Sequence, residues 1–214
     1  MLIQQFIFQK YFLGGGKIPS RVGLGVARKG LFQDYDNNIS DEKIKSIWID
    51  AFNFLEDNGY KPVFFTNGLY EDYQFAKEIA YECKAELLDI PNNLGQLCED
   101  ISSMEFAIVT RLHASIIAYS YKVPTINLLW NNKQRMFGEI SNRSEYYLLA
   151  DEASDKIKSL IQKVSKEIIT IDDEFANSTK RELNNFLEGV SIKLYNQHTT
   201  SFTPREITQS EAHT

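Results

Sequence analysis

The stretch FAIVTRLHASIIAYSYKVPTINLLWNNK, residues 106–133, predicts a buried strand, a short helix and a second buried strand. FAIVT and PTINLLW are apolar runs of strand length, and the residues from His113 to Tyr121 form a compact apolar helical pattern. Arg111 and His113 are the polar side chains at the first junction. A strand–helix–strand unit of this kind is typical of a parallel sheet whose faces carry helices.

The rest of the chain continues this alternation. Further strands are predicted in RVGLGVAR, KPVFFTNG, AELLDI and YYLLA. Ser40 is a predicted helix N-cap, followed by an apolar stripe at helical spacing. The inward residues predicted for the helices are Ile44, Ile47, Trp48, Ala51, Phe52 and Leu55; Tyr73, Ala76, Ile79, Ala80 and Cys83; Leu94, Leu97, Cys98 and Ile101; Ile157, Leu160, Ile161, Val164 and Ile168; and Phe175, Leu183, Phe186, Leu187, Val190 and Leu194.

The pattern therefore predicts an α/β fold with a Rossmann-like parallel sheet and helices on both faces. We expect an N-terminal segment over residues 1–20, the α/β domain over 21–194 and a mobile tail over 195–214, since the tail lacks apolar periodicity. Right-handed crossovers would bring the carboxyl ends of all strands to one edge, where such sheets bind ligands.

Composition narrows the function classes. The net charge of -6 shows no excess of the basic residues that bind nucleic acid. No apolar run is long enough to span a bilayer. Cys83 and Cys98 lack CxxC spacing and are expected to be reduced core thiols, which favours a cytoplasmic protein.

Several sequence motifs are incomplete. VGLGVARKG has Arg28 in place of the third glycine of a dinucleotide fingerprint, and its first two glycines fall within the strand. GGGK lacks the spacing of a phosphate-binding loop, and DYDNNISDE lacks the glycine and terminal glutamate of a calcium loop. No His, Cys and carboxylate cluster has metal-ligand spacing, so neither a metal nor a cofactor is expected.

Cationic groups at the strand ends are the candidate site. Arg111 and His113 stand where a strand ends and a helix begins, a position that favours an anion. Arg28 and Lys133 follow two other strands and should lie at the same edge. The structural alternatives are a carboxylate partner for Arg111, such as Glu105 or Asp100, a solvated Arg28 and Lys133, and a structural His113.

These residues also resemble a known family. Arg111-Leu112-His113, the small apolar helix, Lys122-Val123-Pro124, the following strand and Lys133 are similar in order to the C-terminal signature of polysaccharide pyruvyl transferases. The resemblance extends loosely over residues 21–160. It implies one half, the C-terminal domain, of a two-domain GT-B-like protein.

The resemblance implies transfer of the pyruvyl group of phosphoenolpyruvate to a sugar diol as a ketal, in exopolysaccharide or other surface-polysaccharide biosynthesis. His113 would be the general acid, Arg111 and Arg28 would hold the phosphate and carboxylate, and Lys133 would assist the anion or orient the saccharide acceptor. The expected protein partner is a second copy of the chain or a separate N-terminal half.

Two alternatives remain open at this point. One is a GT-B glycosyltransferase that uses a nucleotide sugar, because its second domain has the same architecture. The other is a non-catalytic domain that binds an anion, a glycan or a partner chain.

Overall fold

Every strand in the described part of the chain belongs to one parallel sheet of six strands. The computed structural model describes residues 17–35 and 39–171. The strands are β1 Arg21–Gly25, β2 Lys61–Phe65, β3 Glu86–Leu87, β4 Phe106–Val109, β5 Thr125–Leu129 and β6 Tyr147–Leu149. Their order across the sheet is β3-β2-β1-β4-β5-β6, which confirms the predicted Rossmann-like α/β fold.

Helices alternate with the strands and cover both faces of the sheet. They are α1 Asp41–Asp57, α2 Tyr70–Cys83, α3 Leu94–Ser102, α4 Leu112–Ser120, α5 Asn132–Ile140 and α6 Ala150–Val164. Short 3-10 helices span Gln33–Tyr35 and Ser144–Tyr146. Buried residues of α1, α2 and α6 share one core cluster, while those of α3 and α4 share a second cluster with the other side of the strands.

Helix α1 forms as its sequence predicts. The Ser40 hydroxyl accepts a hydrogen bond from the Lys43 N–H at 3.2 Å and caps the helix. The chain leaves the helix through Gly59, whose φ of +80° suits glycine. All predicted inward residues of α1 are buried: Ile44, Ile47, Trp48, Ala51, Phe52 and Leu55.

The two glycines of β1 make room for a neighbouring aromatic ring. Gly23 and Gly25 both lie inside the strand, as predicted. A Cβ on Gly25 would lie 2.9 Å from the Phe65 ring and 3.0 Å from a Val109 methyl. Because contacts this short are not tolerated without repacking, glycine lets Phe65 lie across β1. The packing of the sheet therefore accounts for these glycines.

The buried stripe of α2 differs from the prediction by about one residue. Asp72 and Phe75 are buried, whereas Tyr73 and Cys83 are only half-buried. Asp72 is not among the inward residues predicted for this helix. Both cysteines are free thiols, and Cys98 is buried.

Other predicted details were also wrong. Leu94, the first residue of α3, is 44% exposed, and Ile168 is 86% exposed because α6 already ends at Val164. The strand predicted in AELLDI is reduced to Glu86–Leu87. Helix α5 was not predicted at all.

Some predictions fall outside the described residues. The helix predicted over residues 175–194 and the tail over 195–214 lie there, as does most of the N-terminal segment. Within residues 17–35 and 39–171, no helix has the length and apolar character needed to cross a membrane.

Candidate functional site

The candidate site lies at the carboxyl edge of the sheet, where the strand order reverses. β1 pairs with β2 on one side and with β4 on the other, so the connections leave in opposite directions from this point. Parallel α/β sheets bind ligands in the crevice outside such a reversal. Arg28 follows β1 and Arg111 follows β4, and they therefore lie on the two sides of this reversal.

A fully buried carboxylate joins the ends of three strands at this edge. Asp72, in the first turn of α2 after β2, is 0% exposed. Its Oδ1 accepts the backbone N–H of Arg28 at 2.8 Å and Nη2 of Arg111 at 2.5 Å. Its Oδ2 accepts Nε of Arg111 at 2.9 Å. The chain after β1 and the side chain after β4 are thus held by one residue from the helix after β2.

The sequence did contain a signal for Asp72. It precedes Phe75, Ala76 and Ile79 by three, four and seven residues, which places it on the apolar stripe of α2. A carboxylate on a buried stripe needs a cationic or hydrogen-bonding partner. Acidic residues are also common in the first turn of exposed helices, where they complement the helix dipole. The position of Asp72 therefore does not by itself indicate a buried carboxylate.

Arg111 has a carboxylate partner, but not one of the two named from the sequence. Glu105 instead accepts the backbone N–H of Ser20 at 2.9 Å. The Arg111 side chain is 17% exposed, and its Nε and Nη2 are used by Asp72. Within the described residues Nη1 makes no hydrogen bond, so one end of the guanidinium is available to a ligand.

The N-terminus of α4 adds further donors beside Arg111. Arg111 is the N-cap residue, in extended conformation, and no side chain caps the helix. Oγ1 of Thr110 is buried and has no hydrogen-bond partner among the described residues. The same is true of Thr66 Oγ1 and Asn67 Nδ2, which follow β2. Since buried polar groups normally have partners, these atoms mark the strand ends as a place for polar ligands or water.

The other predicted site residues are more exposed. His113 is exposed in the first turn of α4, and Lys133 is exposed as the second residue of α5. The Arg28 guanidinium pairs with Asp34, and this hydrogen bond raises the pKa of Arg28. The structure therefore brings the Arg28 backbone and the Arg111 side chain together through Asp72. His113 follows two residues later, and Lys133 lies on the helix after the next strand.

A buried glutamine orders the neighbouring strand end. Gln134 is 0% exposed, and its Nε2 donates to the carbonyl of Thr110 at 2.5 Å. Its Oε1 accepts the backbone N–H of Trp130 at 3.0 Å. Nε1 of Trp130 donates to the same Thr110 carbonyl at 2.9 Å. The ends of β4 and β5 are thus fixed to each other immediately before Arg111.

Fold and site together define a Rossmann-like α/β domain with charged and polar groups at the switch point of its sheet. The chain belongs to the polysaccharide pyruvyl transferase family, whose family model matches residues 16–132, more than half of the sequence. The matched region includes Arg28, Asp72, Arg111 and His113 and ends one residue before Lys133. No curated protein matches the chain.

The donor atoms at this edge do not resemble a metal centre. Residues 17–35 and 39–171 contain no group of three or more His, Cys, Asp or Glu side chains placed to hold a metal ion. Among the described residues, the polar groups without a hydrogen-bond partner at this edge include Nη1 of Arg111, the Thr66 and Thr110 hydroxyls and the uncapped backbone N–H groups of α4. Such donors favour an anion.

Proposed function

We propose that the protein transfers the pyruvyl group of phosphoenolpyruvate to a saccharide diol as a ketal during surface-polysaccharide assembly. Family membership supports a pyruvyl donor and a saccharide acceptor. The observation that carries the site assignment is the Asp72 carboxylate, which holds Arg111 and the Arg28 backbone at the reversal of the sheet order.

Arg111 and the N-terminus of α4 would bind the anionic groups of phosphoenolpyruvate. The free Nη1 of Arg111, the uncapped backbone N–H groups of α4 and the Thr110 hydroxyl are hydrogen-bonding groups at one strand end. A guanidinium and a helix N-terminus both favour phosphate or carboxylate. Arg28 would join them if the incoming anion displaced its exposed partner Asp34, an exchange of low cost for a surface ion pair.

His113 would act as the general acid. In the proposed reaction the imidazolium protonates the methylene carbon of phosphoenolpyruvate, and the adjacent carbon becomes an oxocarbenium-like centre. One acceptor hydroxyl forms a C–O bond there and releases its proton to the imidazole. The second hydroxyl then attacks the same carbon, the bond from that carbon to the phosphate oxygen breaks, and inorganic phosphate leaves with the proton of this hydroxyl as the ketal ring closes. The cationic groups would stabilise the negative charge of the departing phosphate.

Lys133 and a second protein half complete the proposal. Lys133, after the β5 end, would orient the acceptor or assist the anion. A GT-B-like arrangement would place another Rossmann-like half over this edge. Leu69, Tyr70 and Leu94 are exposed where α2 and α3 begin, and they support contact with such a half.

Ligand-induced thermal shifts test the assignment without requiring turnover. Phosphoenolpyruvate should raise the melting temperature of the chain, and Arg111→Ala should abolish that shift while Lys77→Ala, an exposed control, preserves it. UDP-sugars and GDP-sugars form the comparison arm. Stabilisation by a nucleotide sugar alone would favour the glycosyltransferase alternative and contradict the proposal.

Turnover tests the role of His113. Isotope-labelled phosphoenolpyruvate should label a saccharide acceptor, and His113→Gln should lower kcat by about 10²-fold or more, the usual range for a general acid. Phosphoenolpyruvate binding by His113→Gln should be retained. If this variant turns over at the wild-type rate, His113 has a structural role only.

A further inference from the structure

Beside the candidate site, a cavity lies at the ends of β5 and β6. Its volume is about 240 Å³. Its lining residues are two leucines together with Tyr35, Trp130, Asn131, Asn132 and Arg135. We propose that this cavity binds one sugar ring of the saccharide acceptor, with an anionic substituent of that sugar held by Arg135. The inference rests on the proposed function and names the substrate class for this part of the site.

The aromatic residues supply a preorganised surface for a sugar ring. The rings of Tyr35 and Trp130 meet edge to face, with centroids 4.6 Å apart at 71°. Trp130 is fixed through its indole N–H and its backbone N–H, as described above. Because aromatic rings pack against the C–H faces of pyranoses, a fixed indole gives such a ring a defined stacking position.

Amide groups line the same cavity. Oδ1 of Asn131 accepts the backbone N–H of Gln134 at 3.1 Å, which caps α5. Within the described residues, Nδ2 of Asn131 and both side-chain polar atoms of Asn132 make no hydrogen bond. They offer donors and an acceptor that match the hydroxyl groups of a sugar.

Arg135 is the feature that specifies an anionic sugar. Among residues 17–35 and 39–171 it alone of the arginines has no carboxylate partner; the paired ones are Arg21, Arg28, Arg111 and Arg143. An unpaired guanidinium binds phosphate or carboxylate in a bidentate manner. The shared ligand chemistry is therefore a sugar phosphate or an acidic sugar.

Size and position favour an acceptor ring over a nucleotide. The volume is below the roughly 300–1,000 Å³ of pockets that hold drug-sized ligands, and it suits one ring. The Trp130 indole bonds to the carbonyl of Thr110, the residue before Arg111. A sugar in this cavity would thus lie next to the strand end that we assign to phosphoenolpyruvate.

Tryptophan fluorescence can test the cavity directly. The chain has two tryptophans, and Trp48 is fully buried in the core, so a ligand at the cavity should quench Trp130. The probes are the 1-phosphates, uronic acids and methyl glycosides of gluco-, galacto- and manno-configured sugars, with inorganic phosphate and UMP as comparisons. We expect saturable quenching by at least one sugar phosphate or uronic acid. The two anionic series distinguish phosphate from carboxylate.

Variants separate stacking from charge recognition. Arg135→Ala should weaken binding of the anionic sugar about 10-fold or more and leave the methyl glycoside unchanged, while Tyr35→Ala should weaken both. Lys156→Ala on α6 is the control and should change neither. Tighter binding of UMP than of every sugar, equal binding of inorganic phosphate, or unchanged affinity in both cavity variants would each overturn the inference.

The outcomes also distinguish this inference from the proposed function. One result is a protein that binds an anionic sugar through Tyr35 and Arg135 and yet fails to bind phosphoenolpyruvate. That result would refute the proposed reaction and leave the cavity assignment standing. The opposite result is pyruvyl transfer in which Tyr35→Ala and Arg135→Ala leave the KM for the acceptor unchanged. It would support the reaction and refute the cavity assignment.

Discussion

The Asp72 carboxylate holds the Arg111 guanidinium by two hydrogen bonds, from Nε at 2.9 Å and from Nη2 at 2.5 Å. Asp72 is fully buried, and the Arg111 side chain is mostly buried. Removing one partner of such a pair leaves an uncompensated charge, and this loss is usually larger than the net stabilisation by the intact pair. The pair therefore orients Arg111, and the effect on stability of a substitution at either position depends on the residue at the other.

Breaking this pair should destabilise the protein strongly. Asp72→Ala removes both acceptors of Arg111 and the acceptor of the Arg28 N–H, and should lower the free energy of unfolding by about 3–5 kcal/mol. Arg111→Ala leaves a buried carboxylate and should also be destabilising. Urea denaturation of both single variants and of the double variant measures the coupling. The double variant should lose at least about 1 kcal/mol less than the sum of the single losses, and additivity would contradict the assigned pairing.

A side chain at Gly25 should overpack the sheet. Gly25→Ala places a methyl group against the Phe65 ring and Val109, and should cost about 1–3 kcal/mol of stability. Phe65→Leu in the same background should recover part of that loss because it removes the ring. Denaturation of both single variants and the double variant checks this expectation. If Gly25→Ala is as stable as the parent, the close approach of Phe65 is wrong.

Gln134 should be needed for stability although it is polar. Gln134→Leu keeps a similar volume but leaves the Trp130 backbone N–H without its acceptor, which should cost about 1–3 kcal/mol. Gln162→Leu, at an exposed position on α6, is the matched control and should change stability by less than about 0.5 kcal/mol. Thermal denaturation compares the two. Equal effects would show that the Gln134 hydrogen bonds contribute little.

The Cys83 thiol should react slowly at neutral pH. Burial, with smaller contributions from nearby Glu82 and Glu56, raises its pKa from 9.0 to about 11. Only the thiolate reacts, so at pH 7.5 its thiolate fraction should be about 100-fold below that of an unperturbed cysteine. Alkylation by iodoacetamide in a Cys98→Ala background should accelerate about tenfold per pH unit up to about pH 11. A rate that levels off near pH 9 would contradict the raised pKa.

Asp100 should make stability depend on pH. Burial raises its pKa, with a smaller opposing effect of Arg21, so the folded protein binds this proton more tightly than the unfolded chain does. Its stabilising contribution is fully present below the ordinary carboxyl pKa and is lost as pH rises through the folded pKa. Asp100→Asn should therefore be more stable than the parent at pH 7, and the difference should shrink in acid. A constant difference across the range would refute the shift.

Apolar periodicity was sufficient to predict the sheet and most helices. It failed for α5 because the residues that this helix buries are Gln134 and Gly138, while its apolar Met136 and Ile140 are more than half exposed. Gly138 packs under the Tyr147 ring, and Gln134 is buried through hydrogen bonds, so neither contributes to a hydrophobic pattern. Such a helix is recognised only when its neighbours are known.

The location of the candidate site was predictable from the sequence, but the hydrogen-bond partners of its residues were not. The rule that parallel strands present their carboxyl ends at one edge placed Arg28 and Arg111 at that edge from the sequence. The partner of Arg111 depends on where α2 begins relative to β4, a distance across 39 residues of chain that no local pattern encodes. A buried carboxylate on an apolar helical stripe was the available signal.

The hydrogen bond from the Arg28 amide to Asp72 gives the protein an internal spectroscopic reporter. Oδ1 of Asp72 accepts hydrogen bonds both from this amide and from Nη2 of Arg111. A change in the Arg111 contact therefore changes the electrostatic environment of the Arg28 amide proton. In a nitrogen–proton correlation spectrum, the Arg28 cross-peak should therefore move when the guanidinium of Arg111 changes partner. A ligand that engages this strand end could then be followed through a single amide in the segment after the neighbouring strand β1, without a label at the site.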